Sequence, residues 1–454
     1  MENNKMHKQI CLYYIALIGF TFIGTGTAYM VQLYRLLNYF DGNTVSLLTG
    51  GLYYVFQAIS IGVVAIGFRK YPAIAGGRWL PLIAVITIVA CALVSVYSSS
   101  AAVVNFAGML MNLMIGVLSG CYLTRLATDV PQQRRGIVFG SAYALGSVGT
   151  WLLSLPMKGN FLQSNAGLIP VAALAVVSLL LLRLLKPPIK QKHEEQFPRE
   201  SYSKKLIWLA AAVLFLLSLV NTLGFSFPIQ SAANSVYIEF TRAFYAVGLI
   251  IAGLISDKNR RWGAICCVAA LAFPFAALAL GSSVAGETVM WILAYLFLGF
   301  FAVYRILVFS DISAKADIPT LAVLGLFAGR LGDAVGAFGV GFLTGAPLIV
   351  FSAVVFIIVI AVFFSPYQKL YTSITNSEEM DRLRLVEYAA RFGLSSREQE
   401  IFCLVIQGMS NAEIAAALYI TESTVKFHAG NIFKKTGLTN RSELITDFKL
   451  GNKA

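Results

Sequence analysis

"ICLYYIALIGFTFIGTGTAYM", residues 10–30, contains no Asp, Glu, Lys or Arg. At about 1.5 Å of rise per residue, a helix of this length crosses the roughly 30 Å of hydrocarbon in a bilayer. The run follows a basic start carrying Lys5 and Lys8, so taken by itself it reads either as a cleaved export signal or as a first transmembrane helix. It is longer than a signal core, and similar runs follow near 45–68, 79–98, 101–123, 136–156, 166–185, 206–226, 240–256, 263–281, 288–310, 321–344 and 346–365. That pattern favours the helix and predicts twelve spans. Hydrophobic residues make up 58% of the chain and charged residues 13%, against about 25% charged in soluble domains. A water-soluble main body is excluded. The expected fold class is all-α: a polytopic membrane bundle followed by a small helical domain.

Numbering the connections sorts the cations. Lys5, Lys8, Arg69, Lys70, Arg78, Arg125, Arg134, Arg135, Lys258, Arg260, Arg261 and Lys315 fall on one side, together with the cations of 186–205. Arg35, Lys158 and Arg242 fall on the other. Short cationic loops resist translocation, so the basic side is expected to be cytoplasmic, with both termini there, in a bacterial inner membrane. An odd number of spans would break the alternation.

The polar stretch "KPPIKQKHEEQFPRESYSKK", residues 186–205, divides the bundle into six plus six. "PQQRRGIVFGSAYALGSVGT" (131–150) and "PTLAVLGLFAGRLGDAVGAFGVG" (319–341) each begin at a proline and continue with spaced glycines. Such spacing lets helices approach closely in lipid, and repeated halves are a transporter design. "GLISDKNRRWG" (253–263) resembles the cytoplasmic loop of the major facilitator superfamily through Gly253, Asp257, Lys258 and Arg261, with Arg260 where glycine is usual. The matching loop after the second span keeps Gly62 and has no aspartate. The resemblance covers residues 1 to about 365 and implies a transporter-like fold.

Arg330 and Asp333 lie within the eleventh run, about 14 and 18 Å from its cytoplasmic start. A charge at such depth costs roughly 2.5–3.5 kcal/mol on insertion scales, so both are expected to face the bundle interior. Their spacing of three lets them neutralise each other. Two readings stand: a pair that tightens packing, or a site for an anionic or zwitterionic small molecule. Gln57, Asn105, Asn112 and Asn221 are uncharged candidates for lining the same cavity, or else interhelical contacts. Arg305, nearer the cytoplasmic end of its span, is a further candidate or simply snorkels.

Beyond residue 366 the composition changes. "EEMDRLRLVEYAARFG" (378–393) reads as a soluble connecting helix ending at Gly393. Ser395 with Glu398, and Ser410 with Glu413, have the spacing of capping boxes. Thr421 caps "ESTVKFHAGNIFKKTG" (422–437), and "NRSELITDFKL" (440–450) makes a fourth helix. Two short capped helices around "YIT" (419–421) form a helix-turn-helix, whose second helix enters a major groove. Lys426, Lys434, Lys435 and Arg441 give 424–441 a local positive face suited to phosphates.

Residues 390–450 resemble the LuxR-type helix-turn-helix family through "LSSREQEIFCLVIQGMSNAEIA" (394–415) and "ITESTVKFHAGNIFKKTGLTNRSELI" (420–445). The resemblance implies that Thr424, Lys426 and Phe427 face DNA while Val425 packs inward. With them, Thr421, Asn431, Lys434, Lys435 and Arg441 complete the expected DNA-binding set. At Gly430 some relatives carry a lysine. The last helix is expected to help form a homodimer on double-stranded DNA.

The expected organisation is 1–365 membrane domain, 366–392 linker and 393–454 DNA-binding domain. Function is read as transcriptional regulation controlled by an unknown small-molecule ligand, and alternatively as a secondary transporter with an autoregulatory or partner-docking tail. No nucleophile–base set or phosphate loop points to an enzyme. The cysteines Cys11, Cys91, Cys121, Cys266, Cys267 and Cys403, and the histidines His7, His193 and His428, show no disulfide or metal spacing. No cofactor is expected.

Overall fold

The computed structural model describes all residues except 1, 72–73, 75–76, 155–167, 185–203, 228–237, 280–283 and 451–454. The expected 186–205 connection and Lys158 lie almost wholly outside the described residues. The chain forms two compact units, Lys5–Pro366 and one made of Met1–Asn4 with Tyr367–Ala454.

Among the described residues, helices overlap each of the twelve sequence runs. These are α1 Glu2–Leu36, α2 Gly42–Lys70, α3 Trp79–Tyr97, α4 Ala101–Asp129, α5 Arg135–Ser154, α6 Leu168–Leu184, α7 Lys204–Gly224, α8 Ile238–Lys258, α9 Arg260–Ala279, α10 Val284–Ala316, α11 Leu324–Phe342 and α12 Ala346–Arg391. Ten of the helices among the described residues are long and apolar enough to cross a membrane. Ile66, Phe106, Trp208, Ile357 and Phe342 point their side chains outward and remain exposed, as a bundle solvated by acyl chains requires. The buried core joins residues of both halves, including Ile18, Ile61, Met111, Val138, Leu249 and Val303.

Small residues permit the closest crossings. A Cβ at Gly140 of α5 would collide with the Leu249 carbonyl oxygen of α8, and one at Gly332 of α11 with the Phe215 carbonyl of α7. This is the backbone-to-backbone approach that glycine allows in lipid.

Three elements depart from the predicted helices. Span nine breaks at Leu271–Ala272 between Arg260–Ala270 and Phe273–Ala279. Pro274 explains this, since its ring clashes with the carbonyl four residues back and it has no N–H to donate. The second span is interrupted by a π-helical turn at Leu47–Leu52 containing Gly50 and Gly51. The connecting helix expected over 378–393 has no start of its own and falls within α12, Ala346–Arg391.

The second unit continues with α13 Ser396–Ile406, α14 Asn411–Leu418, α15 Glu422–Thr436 and α16 Arg441–Leu450. Ile401, Phe402, Ile414, Val425, Ile432 and Leu444 form its core together with Ala389. Tyr388 stacks on Phe402 with ring centroids 5.0 Å apart and donates its hydroxyl to Asp447 at 2.6 Å. The packed unit therefore begins upstream of the boundary expected at 393.

Candidate functional site

In the second unit, local hydrogen bonding fixes three helix starts. The Ser395 backbone N–H donates to the Glu398 carboxylate at 2.7 Å, and the Ser410 N–H to Glu413 at 2.8 Å. Reciprocal side-chain bonds complete two capping boxes. Thr421 accepts from the Thr424 N–H at 3.3 Å to start α15. Between α14 and α15, Tyr419 takes φ 54° and is 96% exposed. The left-handed residue reverses the chain so that α15 projects outward.

Val425 and Ile432, seven apart, turn one side of α15 into the core. The opposite side presents Ser423, Lys426, Phe427 and Lys434, all exposed, with Phe427 at 65%. Gly430 lies between them, and a Cβ there would meet nothing within 4 Å. An outward face with two cations, an exposed ring and a bare backbone patch fits a groove lined by phosphates and base edges.

The sequence-predicted DNA set is thus divided. Lys426, Phe427 and Lys434 stand on the outward face, whereas Thr421 and Thr424 share a cap, their hydroxyls 2.8 Å apart. Asn431 is half-buried. Lys435 donates to Glu398 at 2.7 Å and to the Gly393 carbonyl at 2.9 Å. Arg441 donates to the carbonyls of Val405, at 3.1 Å, and Met409. Expected at the phosphate surface, Lys435 and Arg441 instead brace the module. Helical phase carries the signal for Lys435, which follows buried Ile432 by three residues. Arg441 has no such signal, because its acceptors are distant in sequence. Burial opposes ionisation of Glu398, but Lys435 and the Ser395 N–H outweigh it and hold the carboxyl below its ordinary range.

In the membrane unit, Arg330, Asp333, Arg305, Gln57 and Asn112 all line one cavity of about 710 Å³, with Asn221 and a wall of tyrosines. Asn105 does not line it and accepts from the Tyr53 hydroxyl at 2.8 Å. The Asp333 carboxylate accepts from Arg305 at 3.0 Å and from Arg330 at 3.2 Å. Arg305 therefore does not snorkel: it is 7% exposed because Asp333 supplies a counter-ion within the bundle. Gln57 donates to Asn112 at 2.6 Å. The π-helical turn of α2 brings Gly50 to the cavity wall.

The cavity reaches Tyr34, Ser46, Ser154 and Ser226, at or near helix ends opposite the basic loops. On the basic side, Asp257 accepts from the backbone N–H groups of Gly136 and Ile137 at 2.8 and 2.7 Å. Arg260 donates to Asp257 and Asp311, each at 2.8 Å, and Arg135 pairs with Asp311 at 3.4 Å. Arg260, the departure from the superfamily loop pattern, makes the joining contacts.

Residues 393–447 match the family described as bacterial regulatory proteins, luxR family. The spore germination protein GerE of Bacillus subtilis is 36% identical over 61 residues, 82% of that protein and 13% of this chain. The CsgBAC operon transcriptional regulatory protein of Escherichia coli is 45% identical over 53 residues, and the response regulator protein VraR of Staphylococcus aureus 44% over 52. The aligned segments are 24% and 25% of those two regulators, so this chain spans about a quarter of their length. Among solved structures, the human organic anion transporter MFSD10 (TETRAN) superposes with a TM-score of 0.57 at 13% identity, over 78% of this chain and 99% of that one. That similarity shows a major facilitator-like fold in the membrane unit.

Proposed function

Because this chain belongs to the bacterial regulatory proteins, luxR family, through residues 393–447, we propose that it is a membrane-integrated transcriptional regulator whose DNA binding is governed by a small molecule held in the bundle. The outward face of α15 carries the reading: Lys426, Phe427 and Lys434 are exposed and absent from the module's core. The cavity of about 710 Å³ falls within the roughly 300–1,000 Å³ range of small-molecule sites. A ligand biases two arrangements only through a difference in affinity, so the cavity must differ between the states. Two modules spaced by about 34 Å would read a two-fold operator as a homodimer. Basic loops on one side support cytoplasmic termini in a bacterial inner membrane.

The test is duplex selection with the full chain in lipid nanodiscs. Sequence-selective binding that falls steeply with salt is expected; salt-independent or absent binding overturns the reading. The cavity and the transporter-like fold favour a second reading, a secondary transporter with a regulatory tail. Uptake by reconstituted vesicles that survives Lys426→Ala would favour that alternative.

A further inference from the structure

Among the described residues lining the cavity, Arg305, Arg330 and Asp333 are the Asp, Glu, Lys or Arg residues. Two guanidinium groups face one carboxylate, which leaves a formal excess of one positive charge at the cavity wall. The arrangement differs from a closed pair in a second respect. Both arginines keep a buried Nε–H donor without a hydrogen-bond partner. Buried donors left in this condition call for an acceptor, and an acceptor carrying one negative charge would also cancel the excess.

The walls describe the rest of the ligand. Arg330 lies 4.2 Å from the ring centroid of Tyr54, which fixes its guanidinium plane at the cavity surface. Beyond it, Phe22 stacks on Tyr143 at 4.4 Å, and Tyr143 meets Tyr245 edge-on at 5.7 Å. These ring faces suit a flat apolar body. The volume is far more than a single inorganic ion requires.

We propose that the cavity binds an organic monoanion, its single carboxylate or equivalent acidic head on Arg330 and Arg305 and its apolar body against the tyrosine wall. The head competes with Asp333 for the two guanidinium groups. Asp333 thus serves as the resting counter-ion, and binding redistributes hydrogen bonds between α10 and α11. This deepens the sensing reading above by naming the ligand class.

The experiment is calorimetric titration of the full chain in zwitterionic phosphatidylcholine nanodiscs. The probes are 2-naphthoate, neutral 2-naphthamide and cationic 2-naphthylmethylamine. Naphthoate is expected to bind at least tenfold tighter than the other two, with chloride at equal concentration failing to compete. Arg330→Gln is expected to weaken naphthoate at least tenfold. Asp333→Asn is expected to tighten it, because it removes the competing carboxylate; a residue needed only for packing would not produce tighter binding. Equal binding of amide and carboxylate, preference for the amine, absence of binding at millimolar probe, or weakening by Asp333→Asn would each overturn the proposal. Anionic phosphatidylglycerol in the nanodisc is expected to leave naphthoate affinity unchanged; loss of binding there would assign the site to a lipid headgroup and overturn it. Operator occupancy is read in parallel. Naphthoate binding without a change in occupancy removes the sensing reading and leaves the ligand class standing, whereas occupancy changes driven by the amide or amine do the reverse.

Discussion

Lys434 and Lys435 are adjacent in sequence yet stand on different sides of α15. One is solvent-facing, and the other closes on Glu398, a carboxylate 4% exposed. Lys426→Ala is expected to weaken operator binding about fivefold and to reduce the salt slope by about one, with an unchanged unfolding midpoint. Lys435→Ala should instead lower stability by roughly 1–3 kcal/mol in urea titrations, because it strips a buried carboxylate of its charged partner. Glu398 has a folded-state pKa below its ordinary 4.5, so its contribution is complete above that value. It is lost as pH falls through the lower folded value. Acid titration should therefore show a steeper stability loss in the parent than in Lys435→Ala. Arg305 shows what residue type alone conceals: its depth in the span suggested an exit to the interface, and only its distance to Asp333 shows an internal partner.

Turns and interruptions were the least legible elements. Capping boxes were readable because Ser and Glu three apart satisfy local donors, and α13 and α14 start where that chemistry predicts. The break at Leu271–Ala272 was readable in principle from Pro274, but the apolar run around it masks the signal. The π-helical turn at Leu47–Leu52 has no composition of its own beyond paired glycines. At the helix-turn-helix reversal, a fully solvated Tyr419 adopts a left-handed backbone. Tyr419→Asn should raise stability by about 0.5 kcal/mol, since asparagine tolerates that conformation and no packing is lost. Within α15, Gly430→Ala is expected to add up to about 1 kcal/mol, because the new methyl enters open space and helix propensity improves. Both changes are measurable as midpoint shifts in the Tyr367–Ala454 fragment. That unit carries its own buried core around Phe402, Ile414 and Val425.

For the whole molecule, the class was legible because hydrocarbon thickness imposes a length on every span, and ten helices among the described residues meet it. The helix-turn-helix was equally legible, since its caps and core positions are local. Lining of one cavity by Gln57, Asn112, Arg305, Arg330 and Asp333 was not, because four helices must be assembled before those positions converge. The join between the two sequence halves includes a detail at the start of α5, whose first amides are held by Asp257 of α8. The N-terminal half thus borrows a helix cap from the C-terminal half. Severing the chain within 186–205 and producing each piece separately should leave the first piece prone to degradation. Co-production should rescue it as a complex that co-purifies in mild detergent, and Asp257→Ala in the second piece should lower the recovered amount, since a lost cap costs about 1 kcal/mol.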